Sequence, residues 1–253
     1  MILAERLAGG APVLTAWSSI ASTNVVDLLA LSPFEAVTLD MQHGAHDEKS
    51  VYDGIHPIVL RGKGAIVRIP VGRFDMASRA LDFGAEAVIA PMINSRRDAE
   101  AFAASLKYPP AGERSWGPHR AMQLHGSTDA QSYMNSANTA TLAFAMIETR
   151  AAFAALDEIL GVPGIDGVFV GPSDFSISWT DGAKLDPTLS DMQDAVDEIA
   201  MRARAKGKHA GVFAADPADA GRYADMGFGL IAIINDVAYL RTGIDALLNA
   251  AKR

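Results

Sequence analysis

Leu142-Ala-Phe-Ala-Met-Ile-Glu148 is an unbroken apolar run that ends on a carboxylate, and Gly167-Val-Phe-Val-Gly-Pro-Ser-Asp174 repeats the pattern about one helix further along. Strands that are apolar throughout belong to a parallel sheet covered on both faces. Six more short apolar runs occur at Val13–Ser18, Ala36–Asp40, Ala65–Arg68, Ala87–Ala90, Gly211–Ala214 and Leu230–Ile234, which makes eight in all. Helical stretches lie between them. Ser95 stands as a cap before Arg96-Arg-Asp-Ala-Glu-Ala-Phe-Ala-Ala-Ser-Leu106, and Pro187 falls in the expected first turn of a helix beginning at Asp186. Eight strand–helix units in 253 residues fit the size and count of a (β/α)8 barrel, with a doubly wound open sheet as the alternative. No linker divides the chain, so one domain over residues 1–253 is expected. The interval from Tyr108 to Thr141, rich in Pro, Gly and polar residues, is expected to be a long loop covering a site or touching a partner.

Composition narrows the function. The net charge of −8 argues against nucleic acid or an anionic membrane as partner. With no cysteine, disulfides, thiolate nucleophiles and Cys-ligated zinc are excluded. The start, Met1-Ile-Leu-Ala-Glu5-Arg6, lacks the long apolar core of a signal peptide, and no run of about 18 apolar residues follows anywhere. A cytoplasmic protein is the expectation.

In such a barrel, chemistry collects at the carboxyl ends of the strands. This sequence places Trp17-Ser18-Ser19, Asp40-Met-Gln-His43, Arg68, Pro91-Met-Ile-Asn94, Glu148-Thr-Arg150, Gly171-Pro-Ser-Asp174, Phe213 and Asn235-Asp236 there, with Lys63 and Lys208 at the opposite end. Glu148 and Asp174, on neighbouring strands, offer hard oxygen ligands to a divalent cation such as Mg2+ or Mn2+, the remaining positions falling to substrate and water. Taken singly, each acid has a plainer role, pairing with an arginine or, for Asp174, capping the next helix. Arg68 ends an apolar strand and needs a partner, either Asp40 or Glu148, and it is also placed to stabilise charge on a substrate oxygen. His43, three residues after Asp40, is the candidate for proton transfer, and Asp82 is one possible partner or simply a polar residue at a helix end. The amides of Ser173 and Asp174, behind the stiff Gly171-Pro172 turn, are candidates for binding a carboxylate. Trp17 and Phe213 serve equally as pocket walls or as core. His46, His56, His119, His125 and His209 are read as structural.

Asp40-x-x-His43, Arg68, Leu81-Asp-x-Gly84, Pro91-Met92, Tyr108-Pro-Pro-Ala-Gly112, Ile147-Glu-Thr-Arg150 and Gly171-Pro-Ser-Asp174-Phe-Ser176, in this order, resemble the HpcH/HpaI family of metal-dependent (class II) pyruvate aldolases. The resemblance runs from about Trp17 to the C-terminus. It implies a barrel of the phosphoenolpyruvate/pyruvate type, with Glu148 and Asp174 on a divalent cation (Mg2+ or Mn2+, with Co2+ also possible). It further implies Arg68 at the enolate oxygen and His43 with Asp82 as a proton-handling dyad. The implied reaction is reversible cleavage of a 4-hydroxy-2-oxo acid to pyruvate or hydroxypyruvate and an aldehyde, through a metal-bound enolate. The implied assembly is a dimer whose subunits exchange their last helix, such dimers assembling into a hexamer, with Leu240, Ile244, Leu247 and Leu248 as the apolar face. Two departures touch the pocket rim: Gln42 where relatives carry Glu, and Met146 where they often carry Gln.

Three enzymatic rivals and one non-enzymatic rival remain. A Schiff-base aldolase needs a lysine at a strand's carboxyl end, and Lys49, Lys63, Lys107, Lys184, Lys206, Lys208 and Lys252 all lie elsewhere. A phosphosugar isomerase wants glycine-rich turns after strands 7 and 8, which this chain lacks. An acyl-CoA lyase would need rim cations, for which Arg114, Arg120 and Arg150 are candidates. A keto-acid-binding barrel without turnover would be indifferent to chelators.

Overall fold

The computed structural model describes residues 2–252, and its eight strands close into a barrel in sequence order, every neighbouring pair parallel. The strands are β1 (Val13–Ser18), β2 (Ala36–Asp40), β3 (Gly64–Arg68), β4 (Ala87–Ala90), β5 (Leu142–Ile147), β6 (Gly167–Val170), β7 (His209–Ala214) and β8 (Leu230–Ile233). The α-helices are α1 (Leu3–Ala8), α2 (Thr23–Leu31), α3 (Glu48–Leu60), α4 (Phe74–Phe83), α5 (Arg96–Leu106), α6 (His119–Leu124), α7 (Ala130–Ala140), α8 (Arg150–Ala154), α9 (Leu156–Leu160), α10 (Pro172–Trp179), α11 (Ser190–Ala205), α12 (Ala220–Met226) and α13 (Asp236–Ala251). The open-sheet alternative is thereby excluded. Among the described residues, no helix is long and apolar enough to cross a membrane.

Side-chain alternation decides which residues enter the barrel. On β5, Leu142, Phe144 and Met146 point inward and pack with Phe169 of β6, Ile66 of β3 and Trp17 of β1. Val67, Ala145 and Val168 point outward, into the layer that the helices cover. The inner rings need space that only glycine leaves. A Cβ at Gly167 would stand 2.6 Å from Phe144, and one at Gly211 would stand 2.5 Å from Phe169. Each of these two phenylalanines is fully buried, which stabilises the fold by about 1.5–3 kcal/mol apiece. At the amino end, α1 plugs the barrel through Leu3 and Leu7, and Glu86 takes the amides of Ile2 and Leu3 at 2.6 and 2.7 Å.

The same parity aims Trp17, Asp40, Arg68, Glu148, Gly171 and Phe213 at the carboxyl mouth. Each lies an even number of positions from an inward residue of its own strand.

Three expectations are corrected. The interval from Tyr108 to Thr141 is not a bare loop, since it holds α6 and α7, the latter capped by Asp129, whose side chain accepts from the Ser132 amide. The helix after Pro187 begins at Ser190, because Asp186 closes a local turn onto the Thr188 amide at 3.0 Å. Asp174 is not a cap: Gly171 holds that position, Pro172 follows it, and Asp174 sits in the first turn of α10. Ser95 caps α5 as expected, accepting from the Asp98 amide.

Candidate active site

A cavity of about 210 Å³ opens at the carboxyl mouth, lined by Trp17, Ser19, Asp40, His43, Arg68, Met146, Phe169, Gly171, Pro172, Ser173, Asp174, Phe213 and Asn235. The structure thus gathers most of the residues that the sequence singled out for chemistry. Glu148 is not itself part of the lining but is buried beside Gly171, which is. Asp82 lies apart. It lies next to last in α4, which leads into β4 and so ends at the amino side of the barrel, and its Oδ1 accepts from Arg114 at 2.7 Å. The chain alone therefore does not form the His43–Asp82 dyad. Within one chain Asp82 is a helix-end residue paired with Arg114.

Asp40 and Arg68 are directly opposed in the register of β2 and β3. The guanidinium engages the carboxylate through two bonds, Nε to Oδ1 at 2.8 Å and Nη2 to Oδ2 at 2.7 Å. Trp17 Nε1 donates to Asp40 Oδ2 at 3.2 Å, and the Gln42 amide donates to Oδ1 at 3.0 Å. Burial by itself would raise the Asp40 carboxyl. The Arg68 bonds and charge, with the Gln42 and Trp17 donors, outweigh it and hold the group below its ordinary value. The Arg68 guanidinium also lies 4.9 Å from the centre of the Trp17 ring, and Trp17 meets Phe213 edge-on at 5.2 Å. Arg68 is thus oriented on two sides by residues that themselves line the cavity.

His43 is exposed at the mouth and its amide lies 3.4 Å from Asp40 Oδ1. Among the described residues its imidazole has no hydrogen-bond partner. His46, read as structural, is buried between Ser18 Oγ at 3.0 Å and Ser50 Oγ at 3.1 Å.

Glu148 continues β5 and is 1 % exposed. Its Oε1 accepts from the Met92 amide at 2.7 Å, while Oε2 is buried without a partner. Burial is the main cause that pushes this carboxyl up to about 7. The Met92 amide opposes the rise, the Asp174 charge adds to it and the Arg68 charge opposes it. One step past the register pair of Ile147 and Val170, Glu148 faces Gly171. A Cβ at Gly171 would stand 2.9 Å from Glu148 Oε2 and 3.1 Å from Met146 Cε. The space beside the unpartnered oxygen therefore exists because residue 171 is glycine. Asp174 is exposed at the cavity, and its carboxylate has no arginine or lysine partner among the described residues.

An orphaned carboxylate oxygen with a second carboxylate near it is a donor set of the kind that hard divalent cations take. A leftover negative charge of this sort is otherwise costly to bury. Among the described residues no group of three or more His, Cys, Asp or Glu is placed to hold an ion, so Glu148 and Asp174 stand as a pair of carboxylates. The first-turn amides of Ser173 and Asp174 in α10, at the cavity wall, remain available to an anion.

Sequence reading missed Phe169 as a pocket wall and the Met92 amide as a partner of Glu148. Phe169 was legible from its parity with Gly167. The Met92 contact depends on a backbone conformation that residue type does not announce.

A family model described as HpcH/HpaI aldolase/citrate lyase matches residues 14–242. A protein of Rhizorhabdus wittichii named hydroxypyruvate/pyruvate aldolase is 36% identical over 231 residues, 91% of this chain and 90% of the relative. One of Salmonella dublin named 4-hydroxy-2-oxo-heptane-1,7-dioate aldolase is 31% identical over 245 residues, 96% of this chain and 91% of the relative. The crystal structure of an HpcH/HpaI aldolase/citrate lyase family protein from Burkholderia cenocepacia J2315 superposes with a TM-score of 0.88 at 25% identity, covering 99% of each chain.

Proposed function

The chain belongs to the HpcH/HpaI aldolase/citrate lyase family and is an aldolase, and from that premise we propose that its cavity cleaves and forms 4-hydroxy-2-oxo acids, yielding pyruvate or hydroxypyruvate and an aldehyde. The observation that carries this reading is the buried Glu148 Oε2, unpartnered and faced by Gly171. Glu148 and Asp174 would hold a divalent cation, Mg2+ or Mn2+ in the first instance. Such a cation, when bound, supplies positive charge to the oxygens of an α-keto acid.

The chain's own residues do the rest. The amides of Ser173 and Asp174 receive the substrate carboxylate. Arg68, held by Asp40, places its guanidinium where the keto oxygen becomes negative, which lowers the barrier electrostatically. His43 accepts the proton of the C4 hydroxyl. As that proton leaves, the C3–C4 bond breaks, its electron pair passes to the keto-acid fragment as an enolate, and C4 becomes the aldehyde carbon. A proton returned to C3 completes the keto acid, and the reverse sequence makes the bond. Trp17 and Phe213 wall the cavity and limit water. Asp82 of the same chain takes no part, so a His43–Asp82 dyad requires a second copy of the chain.

Assembly into homo-oligomers belongs to the same reading. Val237, Leu240, Ile244, Leu247 and Leu248 stand exposed along α13. A second copy of the chain covering this face agrees with the helix exchange that the sequence resemblance implies.

The acyl-CoA alternative loses its rim cations. Arg114 is buried against Asp82 and Tyr108, and Arg120 stacks on Tyr52 at 3.5 Å, which leaves Arg150. The deciding experiment is pyruvate release from a 4-hydroxy-2-oxo acid by EDTA-stripped protein. Turnover should return with Mg2+, Mn2+ or Co2+; activity indifferent to stripping would defeat the reading.

A further inference from the structure

The turn after β4 takes no part in the chemistry above, yet it is held in an unusual state. Met92 has φ 57, a left-handed backbone that a residue with a side chain adopts only where its surroundings enforce it. In that state its amide meets Glu148 Oε1 at 2.7 Å. Asn94 closes the circuit. Its Nδ2 donates to the Met92 carbonyl at 3.2 Å, and its Oδ1 accepts from the hydroxyl of Thr149, the residue that follows Glu148. The partners fix the orientation of this amide. A carbonyl can only accept, so the NH2 end must face Met92. Thr149 Oγ1 already accepts from the Ala152 amide at 3.0 Å, so its own proton goes to Asn94. The ring Glu148–Met92–Asn94–Thr149 thus bridges the ends of two adjacent strands, β4 and β5.

We propose that Asn94 is a positioning residue for the cation site: through Met92 it keeps Oε1 of Glu148 occupied and leaves Oε2 facing the space beside Gly171. This rests on Glu148 being a cation ligand. A carboxylate free to rotate would present either oxygen, or neither, to an incoming ion. The ring removes that freedom before the ion arrives. Hydrogen-bond partners that orient metal ligands in this way typically change affinity about 10–100-fold when removed.

The test is the Mn2+ dissociation constant, read by electron paramagnetic resonance without substrate, for wild type, Asn94→Ala, Thr149→Val and Thr149→Ser, with thermal melts alongside. Asn94→Ala and Thr149→Val are expected to weaken Mn2+ binding about tenfold or more. Thr149→Ser, which keeps the hydroxyl, restores wild-type affinity. Turnover of Asn94→Ala recovers as Mn2+ is raised to saturation, which a general loss of structure would not allow. An Asn94→Ala protein that melts with wild type and binds Mn2+ equally well overturns the proposal. Thr149→Val breaks the same ring from its other side, and wild-type affinity there is equally fatal should Asn94→Ala not fold. Failure of the wild type itself to bind Mn2+ would instead defeat the parent reading of Glu148.

Discussion

Arg68 grips Asp40 side-on, with both oxygens of the buried carboxylate engaged and the two residues directly opposed in the barrel register. The fork geometry leaves the guanidinium one orientation, edge to Asp40 and close to Trp17. Lysine keeps the charge but cannot reproduce the fork. Arg68→Lys should therefore lower kcat about 100-fold or more, the usual cost of removing a donor aimed at developing negative charge. Mn2+ affinity should change little, because Arg68 is not a ligand. Steady-state kinetics and a parallel Mn2+ titration check this, and near-normal kcat in the variant would remove Arg68 from its assigned role.

Gly171 is required by space rather than by backbone freedom, since its φ of −104 suits any residue. Gly171→Ala would put a methyl group 2.9 Å from Glu148 Oε2. The expected result is a folded protein that binds Mn2+ at least tenfold more weakly and needs correspondingly more metal for turnover. Wild-type metal dependence in Gly171→Ala would mean that the vacancy beside Oε2 is not the cation's place.

The burial of Glu148 makes a prediction about stability. Its carboxyl is pushed up to about 7 in the folded protein, first by burial, against an ordinary value of 4.5. The folded state then binds this proton more tightly than the unfolded chain. The resulting stability is present in full below the unfolded value and is lost as pH rises through about 7. The shift corresponds to on the order of 3 kcal/mol above that range. Metal-free Glu148→Gln, which removes the buried charge, should melt about 5–10 °C higher than metal-free wild type at pH 8, and the gap should close toward pH 5. Saturating Mn2+ should raise the wild type and leave the variant unmoved. A variant that melts no higher at pH 8 would contradict the burial argument.

Among the described residues no lysine lines the cavity, and Lys107, the buried one, is held by Asp166 and the carbonyls of Asn138 and Thr141. Borohydride added with pyruvate should therefore leave both mass and activity unchanged. A reduced pyruvyl adduct on the protein would favour Schiff-base chemistry instead.

The strands were readable because each is buried on two faces and so appears as an apolar run, and period-2 alternation then aimed Asp40, Arg68 and Glu148 at the carboxyl mouth of the barrel. The helices within residues 108–141 were not readable. They are short, rich in Ala, Ser, Asn and Gln, and set among Pro and Gly, so no apolar stripe stands out. Pro187 resembled a helix start, but Asp186 holds it in a turn ahead of Ser190. Which copy of the chain would bring Asp82 to His43 was not legible either, although the place of Asp82 just before β4 already put it at the opposite end of its own barrel. The Met92 turn lay beyond reach, since nothing in Pro91-Met-Ile-Asn94 signals a left-handed methionine.

The most direct test of the central claim is calorimetric titration of stripped protein with Mn2+, wild type against Glu148→Ala. The account predicts about one ion per chain for wild type and no measurable binding for the folded variant. Equal binding by both proteins, or none by either, would contradict it.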